Sequence, residues 1–128
     1  MALEVSEEVR QEITSAIEAI RQQVVWKPGK GQQHLSKRKS MGHLPESAAL
    51  ENYNHLIQSI AQNPNHDVYL YVFSQARYYG VVGDALNARW LVLVSPEGVM
   101  ETAFPPDDLQ GYLDKRGFEF LGKVGEFL

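Results

Sequence analysis

The chain has 128 residues, a formal net charge of −4 and no cysteine. That is the length of one domain able to bury its own core, and it excludes disulfides and thiolate metal sites. No stretch nears the roughly 18 unbroken apolar residues of a membrane span. The acidic opening MALEVSEEVR is the reverse of a basic secretion signal, so the expectation is a soluble cytoplasmic protein, complete from its own Met1 and without a membrane partner. Charge is unevenly spread: six of the twelve Lys and Arg fall in residues 19–45, where there is no acid, and the other six face all sixteen Asp and Glu.

Ser6 caps a first helix over residues 6–26, with Glu7 and Glu8 against the positive end of its dipole and Ile13, Ile17, Ile20 and Val24 on one apolar stripe. Residues 27–45 change character. Gly29 and Gly31 predict a loop, residues 34–41 a short basic helix, and Pro45 the first position of the next helix. That helix, over residues 46–62, carries Leu50, Tyr53, Ile57 and Ile60 at helical spacing and stops before Asn63-Pro64-Asn65. The apolar period then falls from about 3.6 to about 2. Runs at Val68–Phe73 and Tyr78–Val82 are rich in β-branched and aromatic residues. Asp84–Asn87 connects them to Trp90–Val94, whose unbroken apolar run predicts a strand buried on both faces. In Ser95-Pro96-Glu97-Gly98 proline presets φ and glycine accepts the reversal, so Val99–Phe104 runs back until Pro105-Pro106 ends the ladder. Four sequential strands over residues 68–104 predict an antiparallel meander. Asp107-Asp108 caps a short helix at Leu109–Lys115, and Phe118, Phe120, Leu121 and Val124 form either a fifth strand or a packed tail. The whole predicts a single α+β domain, two helices and a short basic one on a four-stranded antiparallel sheet.

Two groups of residues point to chemistry. Lys27, Lys30, Lys37, Arg38 and Lys39, interleaved with His34 and His43, gather positive charge as a phosphate-binding surface does; the alternative is a solvated loop. A histidine titrates near neutral pH, so it can take a proton from one phosphate oxygen and return it to another without a metal. On a helix His34 shares a face with Lys37 and Arg38. The four histidines are 9, 12 and 11 residues apart, which is not ligand spacing, so neither metal nor cofactor is expected. The second group is Arg89, Thr102 and Tyr79. In a hairpin turning at Pro96-Glu97, Arg89 and Thr102 are expected near the same end of the sheet, facing the basic segment. There a guanidinium can stabilise transition-state charge and a hydroxyl can hold a phosphate oxygen, although threonine is equally an ordinary strand residue.

The string His34-Leu35-Ser36-Lys37-Arg38, then Gly42-His43, the Tyr53 helix, and strands carrying Trp90, Val94-Ser95-Pro96-Glu97-Gly98 and Glu101-Thr102-Ala103-Phe104-Pro105 together resemble the barnase, EndoU, colicin and RelE-like group of small metal-independent ribonucleases, over residues 30–106. The resemblance implies helices on an antiparallel sheet whose open face holds the site. It implies that His34 is the general base or acid, that Lys37 and Arg38 hold phosphate, and that Thr102 contacts the transition state as an RNA 2′-OH attacks the adjacent phosphate. It also implies, for a toxin-type member, an acidic immunity-like inhibitor. Arg38 stands where many members have His or Lys, and toxin versions usually end a long delivery protein, so a retained fold with lost activity is an outcome the sequence allows. The expected site is therefore His34, Lys37, Arg89 and Thr102 for chemistry, with Lys30, Arg38, Lys39, His43 and Tyr79 holding RNA or another phosphate-bearing anion. Two other readings differ in what they predict. A non-catalytic module binding RNA, a protein or another anion through residues 27–43 would show salt-sensitive binding without cleavage. An interaction protein, a homodimer through an exposed sheet face, would leave that segment a mobile loop and bind no nucleic acid.

Overall fold

The structure, a computed structural model, describes residues 2–128. The Ser6 hydroxyl accepts from the Val9 N–H at 3.2 Å and opens helix α1 (Glu7–Gln22). This helix stops at Gln22 and not near Trp26, because the β-branched and aromatic Val25 and Trp26 find an extended partner instead. They form β1 (Val25–Trp26), parallel to the strand at Val99–Phe104. Lys27-Pro28-Gly29 then turns the chain into α2 (Lys30–Ser40), which starts before the expected His34 and takes in Gly31. Gly31 serves close packing there: a Cβ would lie 3.0 Å from the Trp26 ring and 3.2 Å from Leu50. Pro45 does not begin the next helix. It starts a turn closed by the Ala48 N–H on its carbonyl at 3.0 Å, and α3 (Leu50–Gln62) follows once Asn52 Oδ1 accepts from the Ala49 N–H at 2.8 Å.

Strands β2 (Asp67–Phe73), β3 (Ala76–Ala85), β4 (Ala88–Val94) and β5 (Val99–Phe104) make the expected antiparallel meander. Strand β3 outruns the expected Tyr78–Val82 at both ends, because its two hairpins close on two-residue turns, Ser74-Gln75 and Leu86-Asn87, all four residues at positive φ. After α4 (Leu109–Lys115) the apolar tail forms β6 (Glu119–Lys123), antiparallel to β2, and a short 3₁₀ turn at Val124–Phe127. The class is α+β, but the sheet is mixed and six-stranded, in the order β1-β5-β4-β3-β2-β6, not four-stranded. The meander gains one strand on each side.

The two faces of the sheet differ. On one, Ile13, Ile17, Tyr53 and Ile57 from α1 and α3 close over Val81 and Trp90, and the Tyr53 hydroxyl donates to the Ala103 carbonyl at 2.5 Å. On the other, Leu113 of α4 packs on Val82 and Leu91, with Tyr69, Phe104, Tyr112 and Phe118 half-buried around them, and a cleft stays open beside Thr102. Cross-strand partners share a face. The pairs Tyr71–Tyr78, Tyr69–Gly80, Gly80–Leu93 and Leu93–Thr102 therefore put Tyr71, Tyr78, Leu93 and Thr102 together on that open face. Among the described residues no helix is long and apolar enough to cross a membrane.

Candidate functional site

Along β4 and β5, Leu93 pairs with Thr102 but Val94 pairs with Met100, so Glu101 is the extra residue of a β-bulge. A bulge re-aims side chains, and here both Glu101 and Thr102 line one cleft of about 400 Å³. Helix α2 lies against β5 and brings His34 to its edge, with Nδ1 3.3 Å from the Thr102 hydroxyl. The imidazole is stacked on Trp26, centroids 5.1 Å apart and planes within 28°. Trp26 is itself fixed by its Nε1–H, which donates to Asn54 Oδ1 of α3 at 2.9 Å. The position of His34 is thus set through three elements.

Lys27 and Lys30 line the same cleft, as do Tyr71, Phe73, Tyr78 and Tyr112. Tyr71 is stacked face to face on Phe118 at 4.5 Å, whereas Phe73 at the tip of β2 is 60% exposed. One exposed ring and three half-buried ones beside ammonium groups make a surface that suits a stacking anion. Burial holds the His34 imidazole below its usual proton affinity, the Arg38 charge adds to this, Lys30 and Lys37 contribute, and Glu101 opposes them. The ring is accordingly neutral at neutral pH, with one nitrogen free to accept a proton.

Of the residues expected from sequence, His34, Thr102 and Lys30 come together. Lys37 is exposed and Lys39 half-buried; neither lines the cleft, though Lys37 acts on His34 through its charge. Arg38 turns inward, 4% exposed, its guanidinium 5.4 Å above the Phe104 ring. His43 meets Trp90 edge to face at 6.4 Å and opens on a different cavity. Arg89 is a correction: it pairs with Asp84 at 3.4 Å, and β5 ends at Phe104 opposite Leu91, so Arg89 has no neighbour on that strand. Thr102 lies opposite Leu93, four residues or about 13 Å along β4 from Arg89. Tyr79 is a second correction. It is fully buried on the helix-covered face, donating to Glu12 Oε1 at 2.5 Å, with its hydroxyl pushed up to about 12 by burial and by that bond. Successive strand residues face opposite ways, so Tyr78 enters the cleft and Tyr79 does not.

Glu101, Tyr71, Phe73, Tyr78 and Tyr112 were not expected in the site. The alternation Tyr69, Tyr71, Phe73 is a signal that three rings share one face of β2. Nothing local marks the bulge at Glu101. Among the described residues no group of three or more His, Asp or Glu could hold a metal ion. Comparison of the chain with family models, with curated proteins and with solved structures finds no match.

Proposed function

We propose that the chain is a small metal-independent ribonuclease-like domain acting on single-stranded RNA laid across the open sheet face. The observation that carries the reading is the 3.3 Å approach of the His34 imidazole to the Thr102 hydroxyl, inside a cleft that also holds Glu101, Lys27 and Lys30. With Nδ1–H donating to Thr102 Oγ1, Nε2 keeps its lone pair and takes the proton of the RNA 2′-OH as that oxygen attacks the adjacent phosphorus. The Glu101 carboxylate favours the imidazolium as it forms, consistent with its effect on His34. Lys27 and Lys30 meet the charge that builds on the phosphate oxygens. The bond to the 5′ oxygen breaks, that oxygen takes a proton from water in the open cleft, the hydroxide so formed takes the proton back from the His34 imidazolium, and a 2′,3′-cyclic phosphate remains. Phe73 and Tyr78 hold the flanking bases by stacking, which duplex RNA, its bases already stacked, does not offer.

The test is incubation of single-stranded RNA with the purified chain in excess chelator, followed by identification of the new ends. Cyclic phosphate and 5′-hydroxyl ends support the reading; intact RNA rejects it. A second reading, a module that binds RNA without cutting it, is favoured by the aromatic rings and two lysines of the cleft, which suffice for binding alone. Salt-sensitive retention of uncleaved RNA is its signature.

A further inference from the structure

A second cavity, of about 340 Å³, lies between the end of α2 and α4 and shares only Tyr112 with the cleft around His34. Met41, His43 and Phe104 form part of its wall. Immediately behind them is Arg38, its guanidinium over the Phe104 ring and its Nη2 donating to Met41 Sδ at 3.7 Å. No carboxylate pairs with Arg38 among the described residues. Its Nε and Nη1 are buried without a hydrogen-bond partner, and so is Nδ1 of His43. A buried guanidinium whose one partner is a thioether, a weak acceptor, is a cation placed where an anion would satisfy it.

The cover over that cation is movable. Met41 is 56% exposed and its unbranched side chain has three rotatable bonds. In the guanidinium plane Nη2 carries one hydrogen on the edge it shares with Nε and one on the edge it shares with Nη1, so the single sulfur contact leaves donors of the fork unused. An outward swing of Met41 would uncover the guanidinium behind this wall, beside the His43 imidazole. Lys115 and Arg116 line the same cavity, offset by Asp107 and Asp108, so net attraction rests on Arg38, and the several N–H donors of its fork beside the His43 imidazole suit the three oxygens of a phosphoryl group.

We propose that Arg38 and His43 form a phosphoryl-binding site, separate from the His34 cleft and capped by Met41. It does not depend on the ribonuclease reading. The probe is inorganic phosphate, titrated at constant ionic strength while the Arg38 Nε–H resonance is followed by nuclear magnetic resonance. The expected result is a saturable shift of that signal, about fivefold tighter in Met41→Ala because the capped population is removed, weaker in His43→Asn, and, followed on the His43 backbone amide because that variant carries no Nε–H, absent in Arg38→Met. Exchange of a buried unpaired cation for an apolar side chain of similar length leaves the fold standing; Met41→Ala alters only an exposed residue and decides the matter if Arg38→Met does not fold. Repeating the titration with a dinucleotide bearing or lacking a terminal phosphate separates the two sources of the group: tighter binding of the phosphorylated form assigns an RNA end, and equal binding assigns free phosphate. A response confined to Lys30 and His34, an affinity unchanged by Met41→Ala, or an equal shift with acetate would overturn the proposal.

Discussion

At the scale of single residues, His34 and His43 are both held below the ordinary histidine value, by burial first and by the Arg38 charge second. A histidine that loses proton affinity on folding leaves the unfolded chain binding more protons, so stability rises with pH through that window. Stability is therefore expected to be complete above about pH 6.5 and to fall as the pH drops through the two depressed values. Denaturation midpoints on either side of that pH measure it. Glu12, held down chiefly by its hydrogen bond with Arg77, adds a separate loss only below about pH 4.3. If neutral His34 is the base, cleavage falls on the acid side of its depressed value. Arg38→Met, by removing the second cause of that depression, moves the limb to higher pH; a limb that stays put assigns the titration to another group. Tyr53→Phe leaves the Ala103 carbonyl buried without its donor and is expected to cost about 1–3 kcal/mol by urea denaturation.

At the scale of elements, the hairpin from β4 to β5 was legible because proline and glycine mark it locally. The Ser95 N–H donates to the Val99 carbonyl, the Gly98 N–H to the Ser95 carbonyl, each at 2.9 Å, and Pro105 follows the last strand residue. Gly98→Ala is expected to lower stability by about 1–3 kcal/mol, since φ is +82° and the new Cβ would lie 2.5 Å from Ala19 Cβ; a smaller loss in thermal denaturation would mean that α1 yields. Strand β1 was not legible. Two residues show no period, and its partner Val99–Met100 lies far along the chain, so Val25 and Trp26 read as the end of a helix. The bulge at Glu101 depends on pairing and not on composition, and so does the register that ends β5 opposite Leu91 and leaves Arg89 paired with Asp84 and not near Thr102. His34 and Thr102 were legible as residue types, and their meeting required the helix to begin at Lys30, one turn earlier than the glycines suggested.

At the scale of the molecule, the acid-free segment does not project into solvent but packs as α2 against α3 and β5, beside the cleft. A chain otherwise acidic thereby presents one cationic, aromatic cleft. With Lys27 and Lys30 as the two phosphate contacts, the logarithm of affinity for single-stranded RNA is expected to fall with the logarithm of salt at a slope of about −1.4, and Lys30→Ala to halve that slope. Fluorescence anisotropy across a salt series reads both, and a flat dependence would show that phosphate is not met there.

The most direct measurement is the single-turnover cleavage rate of single-stranded RNA in excess chelator, wild type against His34→Ala. The account predicts cleavage by the wild type and a loss of about 10²–10⁴-fold in the variant, with both proteins equally folded and binding RNA alike. Equal rates in the two would show that the His34–Thr102 pair does not do the chemistry, and no cleavage by either would leave the cleft a binding surface.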